Sequence, residues 1–493
     1  MVYWTRTEQT VCGGADMKRR IAAILLFLLL LTGCAAESAE RVECADGAAA
    51  APVERADGAA TVAPVERAET ASPPAETSAP VRAPVIDEAS GKTVLTLAGV
   101  RMQAYGWDAL AKQFNAQSAD YIVELRDYFT GEVVEGGSVP SEEEMDRYRA
   151  DLQDAKTRLH TDIIAGNVPD MIVFDALSPL PYLGKGLLLD LDPYLAAAAD
   201  ISPEDILGWD ALHEYGGLYV LARQFVVETL MCSQDFYDAH KGWTAADYLE
   251  IERGLRSDQQ MIYYMSPEEF LEQMGGGYLA KALDLDAGTC DFDNAEFIGI
   301  LDGALKCGQY EALDYAGKPV SWRLEKGELM CCATWLDAPS SVTFDRVQGG
   351  KTLAYIGYPT ADGSCGSVMR LYGDVGAFAA TASPEGCWEF VKYTLKNGAD
   401  AAYYGSPVYA PLMLERVAQK NENGGQYTTA TEEDVQAYIN AAQACRVMGY
   451  RDESVMDILR DECAPMLRGE MTPQQTAQNI QARVSLYMAE QYG

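Results

Sequence analysis

Two short stretches carry the residue types of phosphate chemistry. Gly91-Lys92-Thr93 and Gly350-Lys351-Thr352 both end as a P-loop ends, with a lysine for the phosphates and a threonine for magnesium. The motif also needs a glycine five residues before its second glycine. Those positions hold Ile86 and Asp345, so both stretches fail. Asp284, Asp286 and Gly288 begin like a calcium loop, but Thr289 stands where its glycine is required and Ala295 where its closing glutamate is required. No G-x-S-x-G elbow occurs. The 12 cysteines include no CxxC pair, and the histidines are His160, His213 and His240 alone, so zinc-type spacing is missing. No metal and no cofactor is expected. Paired carboxylates could hydrolyse glycosides, but among 74 acidic residues some pair always lies close, so the count singles out none.

The charge narrows the partners. With 38 Lys+Arg against 74 Asp+Glu the formal net charge is -36. Such a polyanion repels nucleic acid and anionic lipid surfaces, and it makes a strongly anionic ligand a less natural choice than a neutral or cationic one. At 493 residues the chain can build two sizeable lobes.

The elements that would position any site begin after a long N-terminal address. Met17-Lys18-Arg19-Arg20 is a basic start, and Ile21 to Leu31 is an apolar run of 11 residues. That is too short for a comfortable membrane span and suits a signal peptide. It ends in Leu31-Thr32-Gly33-Cys34, which resembles the bacterial lipobox; the resemblance implies cleavage before Cys34 and lipid on its thiol. Residues 1–16 then read as an upstream extension. From Ala35 to about Gly91 the composition turns to Ala, Pro, Glu, Thr and Ser, with a crude repeat around Pro52-Val53-Glu54-Arg55 and Pro64-Val65-Glu66-Arg67. This segment reads as a disordered tether.

The body reads as α/β. Thr93 to Ala98 and Tyr121 to Leu125 are strand runs, and Met171 to Phe174 is a buried one. Between them Trp107, Leu110, Ala111 and Phe114 fall at helical spacing. Ser141 to Glu144 makes a capping box for a stripe running from Met145 to Ile163 and closed by Gly166. Alternation of this kind means βαβ units and a largely parallel sheet. Ser383-Pro384 opens a later helix with Ser383 as N-cap, and Thr472-Pro473 opens the last one.

Several phrases, in one order, resemble extracellular solute-binding protein family 1, the carbohydrate-type group. The run Leu159 to Ile172, with Gly166-Asn167-Val168-Pro169-Asp170 at its centre, is similar to the family's helix followed by Gly-x-x-Pro-Asp and a strand. Gly184-Lys185-Gly186 with Leu187 to Leu191 follows. Cys290 to Phe297 is similar to the "FD-x-x-EF" helix start, and Gly327 to Trp335 to the "G-x-x-x-M…W" segment, with its methionine one residue early. Tyr358-Pro359, Gly376 to Ala379 and Trp388-Glu389-Phe390 complete the series. The likeness covers roughly residues 92–493.

What the resemblance implies is a two-lobed periplasmic-binding-protein-like fold of type II, with discontinuous lobes around a hinge. Residues 92–222 and 359–404 would form the N-lobe, and 223–358 with 405–493 the C-lobe. Crossings are expected near Tyr219 to Phe225, Tyr358 to Val375 and Tyr403 to Pro411. The implied function is that of the extracellular substrate-binding component of an ABC importer: a lipid-anchored monomer, without catalysis, that hands its solute to permease subunits. A secreted hydrolase and a surface sensor or adhesin are the alternatives.

A sugar packs its C–H faces on aromatic rings and gives its hydroxyls to charged or amide groups. Trp335 matches by position the tryptophan on which sugars stack in maltose-type relatives, and it lies in a loop-like run. Ligands also gather beyond the carboxyl ends of strands, which brings in Arg101 and Tyr105 after the first strand and Asp175 after the third. Asp337, Arg223 on the first crossing, and Tyr372 and Asp374 on the return complete the expected binding set. Trp107 reads as the start of a core stripe. A sugar or oligosaccharide is the expected solute, with peptide and polyamine left open.

Overall fold

The computed structural model describes residues 83–131, 141–263, 265–285, 287–307, 320–349, 353–360, 362–398, 405–422 and 424–491. The signal-like run, Cys34 and the Ala/Pro/Glu-rich segment as far as residue 82 lie outside the described residues. The described residues start before the expected limit at Gly91. A short strand β1 (Val85–Ile86) pairs antiparallel with β2 (Thr93–Gly99). Asp87 closes the turn between them by accepting the Ser90 N–H at 2.8 Å.

The first sheet is built on β2. Strand β3 (Tyr121–Asp127) runs parallel along its whole length, from Thr93↔Tyr121 to Gly99↔Asp127. Strand β4 (Met171–Val173) runs parallel on its other side. Alternation sets the two faces, as strand geometry requires. Leu95 and Leu97 meet Trp107, Leu110 and Phe114 of the helix Trp107–Gln117. Ala98 meets Ala155 and Leu159 of the helix Glu142–Ile164. That second helix starts in the expected Ser141/Glu144 capping box, and Gly166 follows its end at φ 90°. Ser383 precedes the helix Pro384–Asn397, but its side chain makes no capping bond.

The second sheet is built on β5 (Gln224–Ser233), whose first nine residues are buried. Beyond it come β6 (Gln260–Tyr263), a small ribbon of β7 (Leu283–Asp284) and β8 (Thr289–Cys290), and β9 (Leu329–Leu336). Strand β9 lies antiparallel to β5 and parallel to β6. On its other edge β5 takes β10 (Leu353–Tyr355) and β11 (Val368–Tyr372), both antiparallel. Strand β12 (Val375–Ala377) returns to the first sheet, antiparallel to β4. Strand β13 (Ser406–Pro407) lies against the start of β5, and β14 (Val447–Met448) runs parallel to β11. Helices 295–306, 453–467 and 473–491 bury Phe297, Met456 and Ile480 against Leu230 and Cys331 of this sheet.

Thus the chain makes two α/β sheets with helices on them, and it crosses between them beside β5. Leu221 bridges Val375, so the outgoing and returning segments run antiparallel. Only Gly373 and Asp374 separate β11 in one sheet from β12 in the other. Residues 359–372, counted above with the first lobe, therefore include a strand of the second sheet, because β11 is the backbone partner of β5. Tyr358 is buried in the second-sheet core and is not on the crossing. The expected last crossing begins at residues 403 and 404, which lie outside the described residues. Trp335 also differs from expectation: it lies in β9 and not in a loop. Cys232, Cys290, Cys331, Cys332, Cys365, Cys387, Cys445 and Cys463 are free thiols.

Candidate functional site

The corner beyond β2 is held in a strained turn. Arg101 is the one non-glycine with positive φ (63°) among the described residues, a conformation that costs energy and persists where its surroundings fix it. Asp127, at the end of β3, fixes it by accepting the Arg101 and Met102 N–H groups at 2.9 and 2.8 Å. The Arg101 guanidinium carbon then stands 5.5 Å from the Tyr105 ring centre and 5.0 Å from that of Tyr148. Its Nε is buried without a partner.

Four expected binding residues meet at the crossing. The Trp107 indole N–H donates to Asp175 at 2.8 Å, and the other Asp175 oxygen accepts the Gly373 N–H at 2.9 Å. Arg223 lies 4.4 Å over the Trp107 ring and donates to the Tyr105 carbonyl at 2.7 Å. It is 1% exposed. Asp374 is buried too and accepts from the Tyr450 hydroxyl. Burial first, and the neighbouring Asp175 charge second, push its carboxyl up to about 7. Asp175, Arg223 and Asp374 therefore tie the crossing segments together, and Arg223 and Asp374 are closed off from ligand in this arrangement. Trp107 does begin the core stripe, and its indole N–H also joins this knot.

The remaining candidates are more open. Trp335 is 51% exposed, which a core tryptophan is not. Asp337 is exposed and accepts the Ser341 hydroxyl. Tyr372, half-buried, ends β11 opposite Gln224.

A cavity of about 610 Å³ opens beside the crossing. Leu180, Leu183 and Leu188 line it from the side of the first sheet. Leu279, Val368, Tyr450 and Arg451 line it from the side of the second, with Tyr215 and Tyr219 between. None of the eight expected ligand residues is in its lining; Asp374 lies one layer behind, under Tyr450. Trp335 is nevertheless connected to it. The register sets Trp335 opposite Glu228, and Glu228 opposite Val368. Directly opposed residues in antiparallel strands point to one face, so Trp335 and the cavity share a face, two strand spacings or about 10 Å apart.

Glu228, between them, was not among the expected residues. It is 1% exposed; one oxygen takes the Arg370 Nε at 2.5 Å and the other has no partner. A signal for it existed, since a lone carboxylate interrupts the apolar run Phe225 to Met231. Glu214, also unforeseen, lines the cavity and accepts the Met448 N–H at 2.7 Å. Stacking ring, buried acceptor and guanidinium donors are the chemistry of binding a polar solute. Among the described residues no helix is long and apolar enough to cross a membrane.

No family's sequence profile matches the chain, and neither does any curated protein. Solved structures do. The chain is similar to an extracellular solute-binding protein family 1 member from Alicyclobacillus acidocaldarius, at 15% identity over 80% of this chain and 98% of the other, with a TM-score of 0.46. It is similar to the sugar-binding protein MalE from Xanthomonas citri, at 13% identity over 81% and 98%, TM-score 0.46. It is also similar to an ABC substrate-binding protein from Listeria monocytogenes in complex with cycloalternan, at 15% identity over 81% and 99%, TM-score 0.41. The structural neighbours of this α/β chain thus include substrate-binding proteins of the group that its sequence phrases resemble.

Proposed function

We propose that this protein is the extracellular substrate-binding component of an ABC importer, capturing a sugar or oligosaccharide between two lobes by hinge closure. The lobes are residues 85–222 with 375–398, and 223–372 with 405–491. The observation that supports this most is the crossing: strands pass side by side between two α/β sheets, next to a solute-sized cavity lined from both. In this reading Trp335 is the stacking platform, Asp337 and Tyr372 are polar groups near it, and Glu228 is buried opposite it in the register. Arg101 and Tyr105 form the opposing rim. Cys34 carries the lipid anchor, the permease subunits receive the solute, and the protein works as a monomer without catalysis.

The test is a thermal-shift screen of the purified full-length chain against oligosaccharides, peptides and polyamines. A native-state ligand at one hundred times Kd stabilises by about 2.7 kcal/mol. A saturable shift with one saccharide class, lost in Trp335→Ala and without turnover, is the expected result. Product release from the sugar would make the protein a hydrolase. A shift with peptides or polyamines alone would remove the sugar from the proposal.

A further inference from the structure

The charged groups on the cavity wall are unequally committed. Asp452 caps the helix 453–467 through the Ser454 and Val455 N–H groups, and it accepts the Tyr487 hydroxyl at 2.9 Å. Glu214 holds the Met448 N–H at 2.7 Å. Asp284 accepts the Ala287 N–H at 2.9 Å, and Lys281 is paired with Glu296 at 2.5 Å. Arg451 differs. Its Nη2 donates to Gln273 at 2.9 Å, while its Nη1 stands 3.8 Å from Glu272. That carboxylate is shared with Arg460 at 3.5 Å. A guanidinium has five N–H donors in a fixed fork, more than the Gln273 bond and the distant, shared Glu272 use, and Arg451 lines the cavity while its side chain is only 8% exposed. The nearby Arg370 has a close carboxylate of its own, Glu228 at 2.5 Å. Burial, and then the like charge of Arg370, hold Arg451 down to about 10, so the site disfavours the very charge it contains.

A buried, under-paired guanidinium is costly unless something completes it. We propose that the captured solute completes it: the ligand carries a carboxylate gripped by Arg451, which makes the preferred class an acidic, uronate-bearing saccharide. This rests on the capture reading above. A carboxylate matches the guanidinium fork with two parallel hydrogen bonds, and the ~10 Å from Val368 to Trp335 leaves room for a neighbouring ring to stack. The net charge of -36 works against an anion at long range. At physiological salt, however, charges beyond about 8 Å are largely screened, so the wall governs affinity and the distant surface mainly slows encounter.

Calorimetry on the full-length chain tests this with trigalacturonate, its methyl ester, the neutral galactose trimer and succinate. The acid trimer should bind roughly tenfold to a hundredfold more tightly than its ester, and Arg451→Gln should abolish that difference. The ester comparison needs only the wild-type chain, so it stands even if the variant folds poorly. Equal binding of acid, ester and neutral trimers would overturn the proposal while leaving sugar capture intact. Binding of succinate alone would overturn the saccharide part. No binding by any probe of this screen, with no saccharide found by thermal shift, would overturn both this proposal and the capture reading.

Discussion

Replacing Glu214 by glutamine should change how stability depends on pH more than it changes stability itself. Glu214 follows the short helix Trp209–Leu212 and accepts the Met448 N–H across to β14. Burial pushes its carboxyl up to about 8 from an ordinary 4.5, against the opposing pull of the Met448 and Tyr215 contacts. Between those two values the native state keeps a proton that the unfolded chain has released. The native state binds more protons, so stability falls as pH rises through this window. Each unit is worth about 1.4 kcal/mol. From pH 5 to pH 7 the loss from this one group comes to about 2.5 kcal/mol, and to pH 8 about 3.5 kcal/mol. In Glu214→Gln a permanently neutral amide can accept the same N–H, so this loss disappears. Urea unfolding of both proteins at several pH values gives the comparison. The variant should gain on the wild type by roughly 1 kcal/mol per unit above pH 5. Parallel stability curves from pH 5 to pH 8 would refute the reasoning, since they would mean that Glu214 ionises normally in the folded protein.

Other perturbations separate the crossing from the binding face. Arg223→Met should cost roughly 2–4 kcal/mol in urea unfolding, because it leaves the Tyr105 carbonyl without its donor and strips the cation from the Trp107 ring. Gly405→Ala should cost roughly 1–3 kcal/mol, because φ is 111° there and the new Cβ would collide with the Phe225 carbonyl oxygen. Trp335→Ala should leave stability within about 1 kcal/mol of wild type, since the side chain is 51% exposed; the thermal midpoint without ligand measures this, and a large drop would make Trp335 a packing residue.

The strands and helices of the first sheet were legible because their patterns are local. Leu95, Leu97 and Ala98 sort themselves by alternation, and Trp107, Leu110 and Phe114 by helical spacing. The Ser141/Glu144 box is complete within four residues. Strands β12, β13 and β14 are two or three residues long and exist only through their partners, so no local pattern announces them. The contacts that decide the site are more distant still. Glu214 and Met448 are 234 positions apart, and Asp374 and Tyr450 are 76 apart. The rule that ligands lie beyond strand ends led to Asp175, Arg101 and Tyr105, and the structure does have all three in one corner. What each one touches depended on where the second sheet lies.

One signal of that arrangement was present in the sequence. Arg223 and Gln224 interrupt the apolar run Leu218 to Val227, and both are 1% exposed. Two adjacent polar residues inside a buried segment should be excluded unless each finds a fixed partner. Here the partners come from other segments at the crossing. Arg223 reaches the Tyr105 carbonyl, and the Gln224 side-chain amide donates to the Gly405 carbonyl at 2.8 Å. Asp175 adds the Gly373 N–H of the returning segment. Buried polar bonds of this kind are expensive to break, so lobe movement should pivot about them and not through them. That assigns the polar residues of the crossing to holding the pivot. On the capture reading, recognition is left to the exposed Trp335 and to Arg451 on the cavity wall.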